Sequence, residues 1–141
     1  MRIAMLGAGA MGSVIGGHLA AAGNDVDLID IDEGYVTTVN SNGLVLETDG
    51  IARVINVRAA ARSTNLQPVD LVVVLVKSFH TEDAMRATTN LIGPETTVLS
   101  LQNGLGHEEI LANIVGRKNV IAGKTYVGGV NGGAKFGSVS I

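Results

Sequence analysis

The chain contains no cysteine and no tryptophan, and only two phenylalanines and two tyrosines among its 141 residues. Without cysteine there is no disulfide framework, no thiolate nucleophile and no cysteine-containing metal site. So few rings provide no stacking platform for bases. Ten Lys and Arg against thirteen Asp and Glu give a net charge of −3, with no basic footprint for nucleic acid. Long hydrophobic runs are also missing. The apolar stretches are strand-length and interrupted, so none spans a bilayer, and Met1-Arg2 opens a strand rather than a signal peptide. The length suits one real core and not two ordinary domains. The expectation is a soluble, cytoplasmic enzyme fragment with no membrane or nucleic-acid partner, and with no internal repeat, low-complexity tract or flexible linker.

What the chain does have is glycine, placed where it informs most. The apolar run Ile3-Ala4-Met5-Leu6 meets Gly7-Ala8-Gly9-Ala10-Met11-Gly12, and a second strand-like segment, Asp25 to Asp30, ends in an acid 18 residues beyond the third glycine. A strand, a G-x-G-x-x-G turn, a helix and a distal acid form a dinucleotide-binding fingerprint in its proper context. Gly7 lets the chain turn sharply off the strand, Gly9 lets backbone approach a pyrophosphate, and Gly12 lets the helix pack close to the sheet. The unpaired N–H groups and partial positive charge of that helix's first turn face the phosphates. Ser13 to Ala22 supplies the helix, with Val14, Ile15 and Leu19 at helical spacing, and Gly23-Asn24 closes it.

Strands and helices then alternate, the pattern of a doubly wound, mostly parallel α/β sheet with helices on both faces. The sequence predicts a short helix over Glu33 to Asn40, a turn at Asn42-Gly43, and paired strands Leu44 to Glu47 and Ala52 to Asn56 joined through Asp49-Gly50. A loop with Pro68 leads to Leu71 to Val76, an unbroken aliphatic strand buried on both faces. Thr81 is placed to cap a helix with Glu82 and Asp83 in its first turn, ending near Gly93-Pro94. A buried strand from Thr97 to Leu101, a helix from His107 to Val115, and strands at Val120 to Ala122 and Ala134 to Ile141 complete the chain. The last stops without turn or cap, which reads as a cut from a longer protein rather than a terminal edge strand. An unmatched strand edge invites pairing with another chain, which leaves a homodimer open.

Ligands of open α/β sheets sit outside the carboxyl ends of the strands, so polar residues there carry most of the functional information. Lys77, in Lys77-Ser78-Phe79, is placed to contact cofactor phosphate, ribose or a substrate carboxylate, the alternative being a solvated strand-end lysine. Asn103, in Gln102-Asn103-Gly104-Leu105-Gly106, can hold a nicotinamide amide or a ribose hydroxyl, although Asn-Gly is also an ordinary turn pair.

Taken in order and register, Gly7 to Gly12, Val76-Lys77-Ser78-Phe79, and Leu101 to Gly106 followed by Glu108-Glu109-Ile110-Leu111 resemble the amino-terminal domain of ketopantoate reductases (2-dehydropantoate 2-reductases). The resemblance covers the whole chain, and the Gln-Asn-Gly-Leu-Gly segment is its most specific part. It implies a Rossmann-type domain and a nicotinamide-dependent reduction of a 2-keto acid to a 2-hydroxy acid, in the pantothenate pathway for the type member. It makes Gly7, Ala8, Gly9, Ala10, Met11 and Gly12 the pyrophosphate loop, puts Lys77 and Asn103 against the cofactor and the edge of the substrate pocket, and brings Gly128-Gly129 close to the nicotinamide end.

Two departures from the family stand out. Its members usually prefer NADPH and often carry an arginine just after the second strand, whereas this chain reads Asp30-Ile31-Asp32-Glu33, with no basic residue until Arg53. A carboxylate at Asp30 accepts bonds from both ribose hydroxyls of NAD, and a 2′-phosphate there would meet negative charge. At about 5 Å and an effective dielectric of ~20 the repulsion is worth roughly 3 kcal/mol, on the order of 100-fold. NAD(H) is therefore expected where NADP is the family default. The second departure is an absence: the family's general-acid lysine and substrate-binding side chains lie in a helical second domain beyond these 141 residues. His18, His80 and His107 read as surface or packing residues, so no catalytic acid is named and the chain alone is expected to be inactive. Alternative readings are a relative acting on another branched or aromatic 2-keto acid, and a non-catalytic NAD-binding sensor module.

Overall fold

The computed structural model describes residues 1–77, 80–126, 130–131 and 138–140. The chain opens with β1 (Arg2–Leu6), crosses through α1 (Ala10–Ala21) to β2 (Asp25–Ile29), and continues with α2 (Glu33–Asn42), β3 (Leu44–Thr48), β4 (Ile51–Ile55) and β5 (Arg58–Ala60). Next come β6 (Val69–Val74), α3 (Thr81–Arg86), β7 (Ile92–Ser100), α4 (His107–Val115) and β8 (Val120–Ala122), then β9 (Val130–Asn131) and β10 (Ser138–Ser140). Six strands form one sheet in the order β5-β2-β1-β6-β7-β8, every described pairing parallel. The order runs outward from β1 in both directions, the Rossmann arrangement, so the strand order reverses beside β1 and opens a crevice there.

Residue alternation explains why both faces are covered. On β1, Ile3 and Met5 pack into a core with Val14 of α1 and Tyr35 and Val39 of α2, whereas Ala4 and Leu6 pack into a second core with Met85 of α3 and Leu111 of α4. β6 divides the same way, Val73 to the first core and Val72 and Val74 to the second. Each buried aliphatic side chain contributes about 1.5–3 kcal/mol relative to exposure, so β1 and β6 anchor the domain.

α1 is itself sandwiched, because a second sheet in the order β4-β3-β10-β9 lies against it. A Cβ on Gly16 would stand 2.5 Å from Leu28 Cδ2 of the main sheet, and one on Gly17 would stand 2.8 Å from Leu44 and Leu46 of β3. The two glycines therefore allow close approach on both sides of one helix.

The structure corrects several sequence expectations. The short strand Arg58–Ala60 was not foreseen; it pairs with β2, and Arg58 donates to the buried Asp27 (Nε to Oδ1, 2.8 Å) and to Asp25 (Nη2 to Oδ1, 2.6 Å). Those two hydrogen bonds, Asp27 first, raise the guanidinium pKa above its ordinary value. The strand expected over Leu71 to Val76 runs from Val69 to Val74, and that expected from Thr97 begins at Ile92. Thr81 is not a cap: His80 holds the N-cap position and Thr81 is the first helical residue, fully buried. The helix stops at Arg86 rather than near Gly93. Polar side chains there take up backbone groups, the Thr88 hydroxyl donating to the Ala84 carbonyl (2.9 Å) and Asn90 Nδ2 to the Ser63 carbonyl (2.7 Å), and such bonds compete with helix continuation. The expected terminal strand is internal, since Ser138–Ser140 lies between β3 and β9. The rest of that expected strand, 134–137 and 141, falls outside the described residues. Among the described residues no helix is long and apolar enough to cross a membrane.

Candidate functional site

The parallel sheet brings the carboxyl ends of its strands to one edge, where the sequence-predicted residues fall in the loops after four adjacent strands. Asp30 follows β2, Gly7 to Gly12 follows β1, Lys77 follows β6 and Asn103 follows β7. With neighbouring strands about 4.8 Å apart, the two outer strands of the four, β2 and β7, lie roughly 14 Å from each other, with β1 and β6 between them. The edge suits an elongated ligand. Gly128 and Gly129, and Ser78 and Phe79, lie outside the described residues.

Within the glycine loop each glycine has a different constraint. Gly7 has φ 96°, and a Cβ there would stand 2.6 Å from the Val76 nitrogen, so both conformation and the backbone just after β6 demand glycine. A Cβ on Gly12 would collide with the Gly7 carbonyl oxygen, which fixes how closely the first turn of α1 returns to the loop. Gly9 is different, because a Cβ there would meet nothing within 4 Å. Gly9 is exposed and stands beside a helix N-terminus with unpaired N–H groups, so a ligand can approach bare backbone there. Ala10 and Met11 form the first helical turn, and Ala8 is buried, its carbonyl accepting from Ser13 Oγ (2.7 Å).

Ser13 is fully buried and also meets Tyr35 Oη at 2.7 Å. Burial pushes the Tyr35 hydroxyl up to about 12, and the nearby Asp30 charge adds to the shift. Asp30 is half-buried at the end of β2, its Oδ1 accepting the Asp32 N–H (3.0 Å), and Asp32 in turn accepts the Tyr35 N–H (3.0 Å) as the N-cap of α2. The segment is thus a rigid acidic turn with no arginine in it.

On the other side, Gln102 fastens the two remaining loops. Its Nε2 donates to the Val76 carbonyl (2.8 Å) and to Thr81 Oγ1 (2.7 Å), and its Oε1 accepts from Ser100 Oγ (3.2 Å). Lys77, directly after Val76, and Asn103, directly after Gln102, are both exposed. The Asn103 carbonyl accepts from His107 Nε2 (2.8 Å), closing a loop in which Gly104 (φ 101°) and Gly106 (φ 90°) are left-handed. A carbonyl only accepts, so that imidazole nitrogen carries a proton. His107 is a buried packing residue, as expected.

A family model described as ketopantoate reductase PanE/ApbA matches residues 3–137. The chain belongs to the ketopantoate reductase family. It is 40% identical over 131 residues to the 2-dehydropantoate 2-reductase of Pyrococcus horikoshii, covering 92% of this chain and 41% of that protein. Among solved structures, D-mandelate dehydrogenase with NADH and anilino(oxo)acetate superposes with a TM-score of 0.93 at 33% identity, over 100% of this chain and 45% of that one. The PanE/ApbA family ketopantoate reductase of Ralstonia eutropha superposes with a TM-score of 0.91 at 35% identity, over 99% of this chain and 46% of that one. The chain thus spans less than half the length of these relatives, and its fold is the Rossmann-like domain they share.

The sequence motifs by themselves assign no role to three of the buried or half-buried polar side chains here. Gln102 lies inside a motif, and its signal is that a side-chain amide at a strand end has four hydrogen-bonding sites to satisfy. The Ser13–Tyr35 contact crosses 22 residues of chain, and no local pattern signals it.

Proposed function

We propose that this chain is the cofactor domain of a cytoplasmic reductase that converts a 2-keto acid to the 2-hydroxy acid, with NAD(H) as the preferred cofactor. The carrying observation is the shared edge: open space at Gly9, a half-buried acid at Asp30, and Lys77 and Asn103 on loops tied together by Gln102. The residues present fit a dinucleotide. Gly7 to Gly12 with the first turn of α1 hold the pyrophosphate, Asp30 accepts from the adenosine ribose, and Lys77 and Asn103 meet the nicotinamide end and the keto acid. When bound, the nicotinamide supplies the hydride. Lys77 offers positive charge to the substrate carboxylate, and Asn103 orients by donating and accepting at one place.

Protonation of the ketone oxygen needs an acid within hydrogen-bond reach. His107 is engaged with the Asn103 carbonyl and His18 sits in the last turn of α1, away from the glycine loop. Following the family resemblance, we assign the acid to a helical second domain outside these 141 residues, so that the chain alone binds cofactor without turnover. The ketopantoate reductase family makes ketopantoate the first substrate to test. A second reading, an aromatic 2-keto acid, is favoured by the likeness to a D-mandelate dehydrogenase solved with NADH. Following NADH oxidation by the parent-length protein across ketopantoate and phenyl-substituted 2-keto acids separates the two. Binding of NADH by the chain with no oxidation is the expected companion result; a chain that binds neither NADH nor NADPH overturns the reading.

A further inference from the structure

Between the glycine loop and α2 runs a buried chain of hydroxyls that the preceding assignment of roles leaves unused. Ser13 Oγ lies 2.7 Å from the Ala8 carbonyl oxygen and 2.7 Å from Tyr35 Oη, with Ser13 fully buried and Tyr35 6% exposed. The order of the protons follows from the acceptor. A carbonyl cannot donate, so the Ser13 hydrogen points to Ala8, and the Tyr35 hydroxyl must then donate to Ser13.

The consequence lies one atom pair further on. In a trans peptide the C=O of one residue and the N–H of the next point in opposite directions, and among the described residues no peptide bond is cis. Holding the Ala8 carbonyl inward, toward Ser13, therefore turns the Gly9 N–H outward. Gly9 itself is exposed. A free peptide at this point can flip, because the glycine after it resists rotation little; the relay removes that freedom.

We propose that Ser13 and Tyr35 are positioning residues for phosphate binding, a two-hydroxyl relay that locks the Ala8–Gly9 peptide with its N–H aimed at the pyrophosphate. The proposal rests on the dinucleotide reading of the loop. The relay also joins the two halves of the site, since Tyr35 bonds through its N–H to Asp32 and Asp32 through its own to Asp30. Anything that seats the acidic turn on a ribose thus bears on the helix that carries Tyr35. The raised Tyr35 pKa keeps the phenol protonated, and so a donor, throughout the physiological range.

The test is a double-mutant cycle in the full chain, with ADP and NADH affinities read by calorimetry and folding by thermal melts, all binding measured well below the melting midpoint. Tyr35→Phe is expected to weaken both ligands about 3-fold, Ser13→Ala about 10-fold or more, and the double variant no further than Ser13→Ala, because Tyr35 acts through Ser13. Equal loss for ADP and NADH, with adenosine binding unchanged, places the effect at the phosphates. Unchanged affinities in the folded variants, with only the melting midpoint lowered, overturn the relay as a positioning device, and so do fully additive losses. If Ser13→Ala does not fold, Tyr35→Phe, which removes one oxygen, still decides the matter by its ADP affinity. Wild-type chain that binds neither ADP nor NADH overturns the reading of the loop itself, a result distinct from variants that bind as wild type does.

Discussion

Single atoms decide the glycine loop. A methyl on Gly12 points at the Gly7 carbonyl, so Gly12→Ala must displace either the loop or the first turn of α1. The expected outcome is a loss of about 1–3 kcal/mol in denaturant unfolding together with a large loss of NADH affinity. A methyl on Gly9 has room in the unliganded fold, so Gly9→Ala is expected to keep its stability and lose affinity alone; equal stability loss in both variants contradicts the assignment. Tyr35 gives a second prediction at this scale. Its hydroxyl titrates near 12 in the fold against about 10 in the unfolded chain, so the unfolded state sheds its proton first. Stability from this group is complete below about pH 10 and falls as pH rises toward 12, by up to about 3 kcal/mol. Absorbance titration of a Tyr126→Phe chain reports the Tyr35 step by itself, and a step at its ordinary value would count against the burial described.

Two loops at the element scale are one unit because of Gln102. Gln102→Leu leaves the Val76 carbonyl and the buried Thr81 hydroxyl without this donor, at about 1–3 kcal/mol, and Gln102→Glu faces a carbonyl with a carboxylate and is expected to be worse. Urea unfolding of the three proteins should rank them wild type, Leu, Glu, with NADH affinity in the same order. The elements also show what can be read from sequence and what cannot. β1, α1, β2 and α4 were legible because a single local pattern specifies each: apolar alternation or helical spacing bounded by glycine. β5 was not legible, because Arg58-Ala59-Ala60 has no strand pattern of its own and is held by Asp27, which lies 31 residues earlier. The α3 boundary failed for a related reason: Thr88 and Asn90 end the helix through side-chain bonds, one of them to Ser63 across the domain. At the site the same division holds. The places of Gly7 to Gly12, Asp30, Lys77 and Asn103 after strand ends are legible in the sequence, whereas the bonds of Gln102, Ser13 and Tyr35 are to partners that only the fold brings near.

At the scale of the whole molecule, the sheet order puts an acid, a glycine loop and two polar loops in line along one edge, the edge that the proposed function gives to a dinucleotide. Selectivity between cofactors is then a property of the line's acidic end. Asp30, Asp32 and Glu33 stand there without an arginine, so under the proposed function an added 2′-phosphate is expected to cost affinity, on the order of 100-fold. The most direct measurement is a pair of calorimetric titrations of the full chain with NADH and NADPH, repeated on Asp30→Ala. NADH binding about 100-fold tighter in the wild type, with most of that gap closed in Asp30→Ala, is the predicted result; NADPH binding tighter than NADH, or a gap indifferent to Asp30, would contradict it.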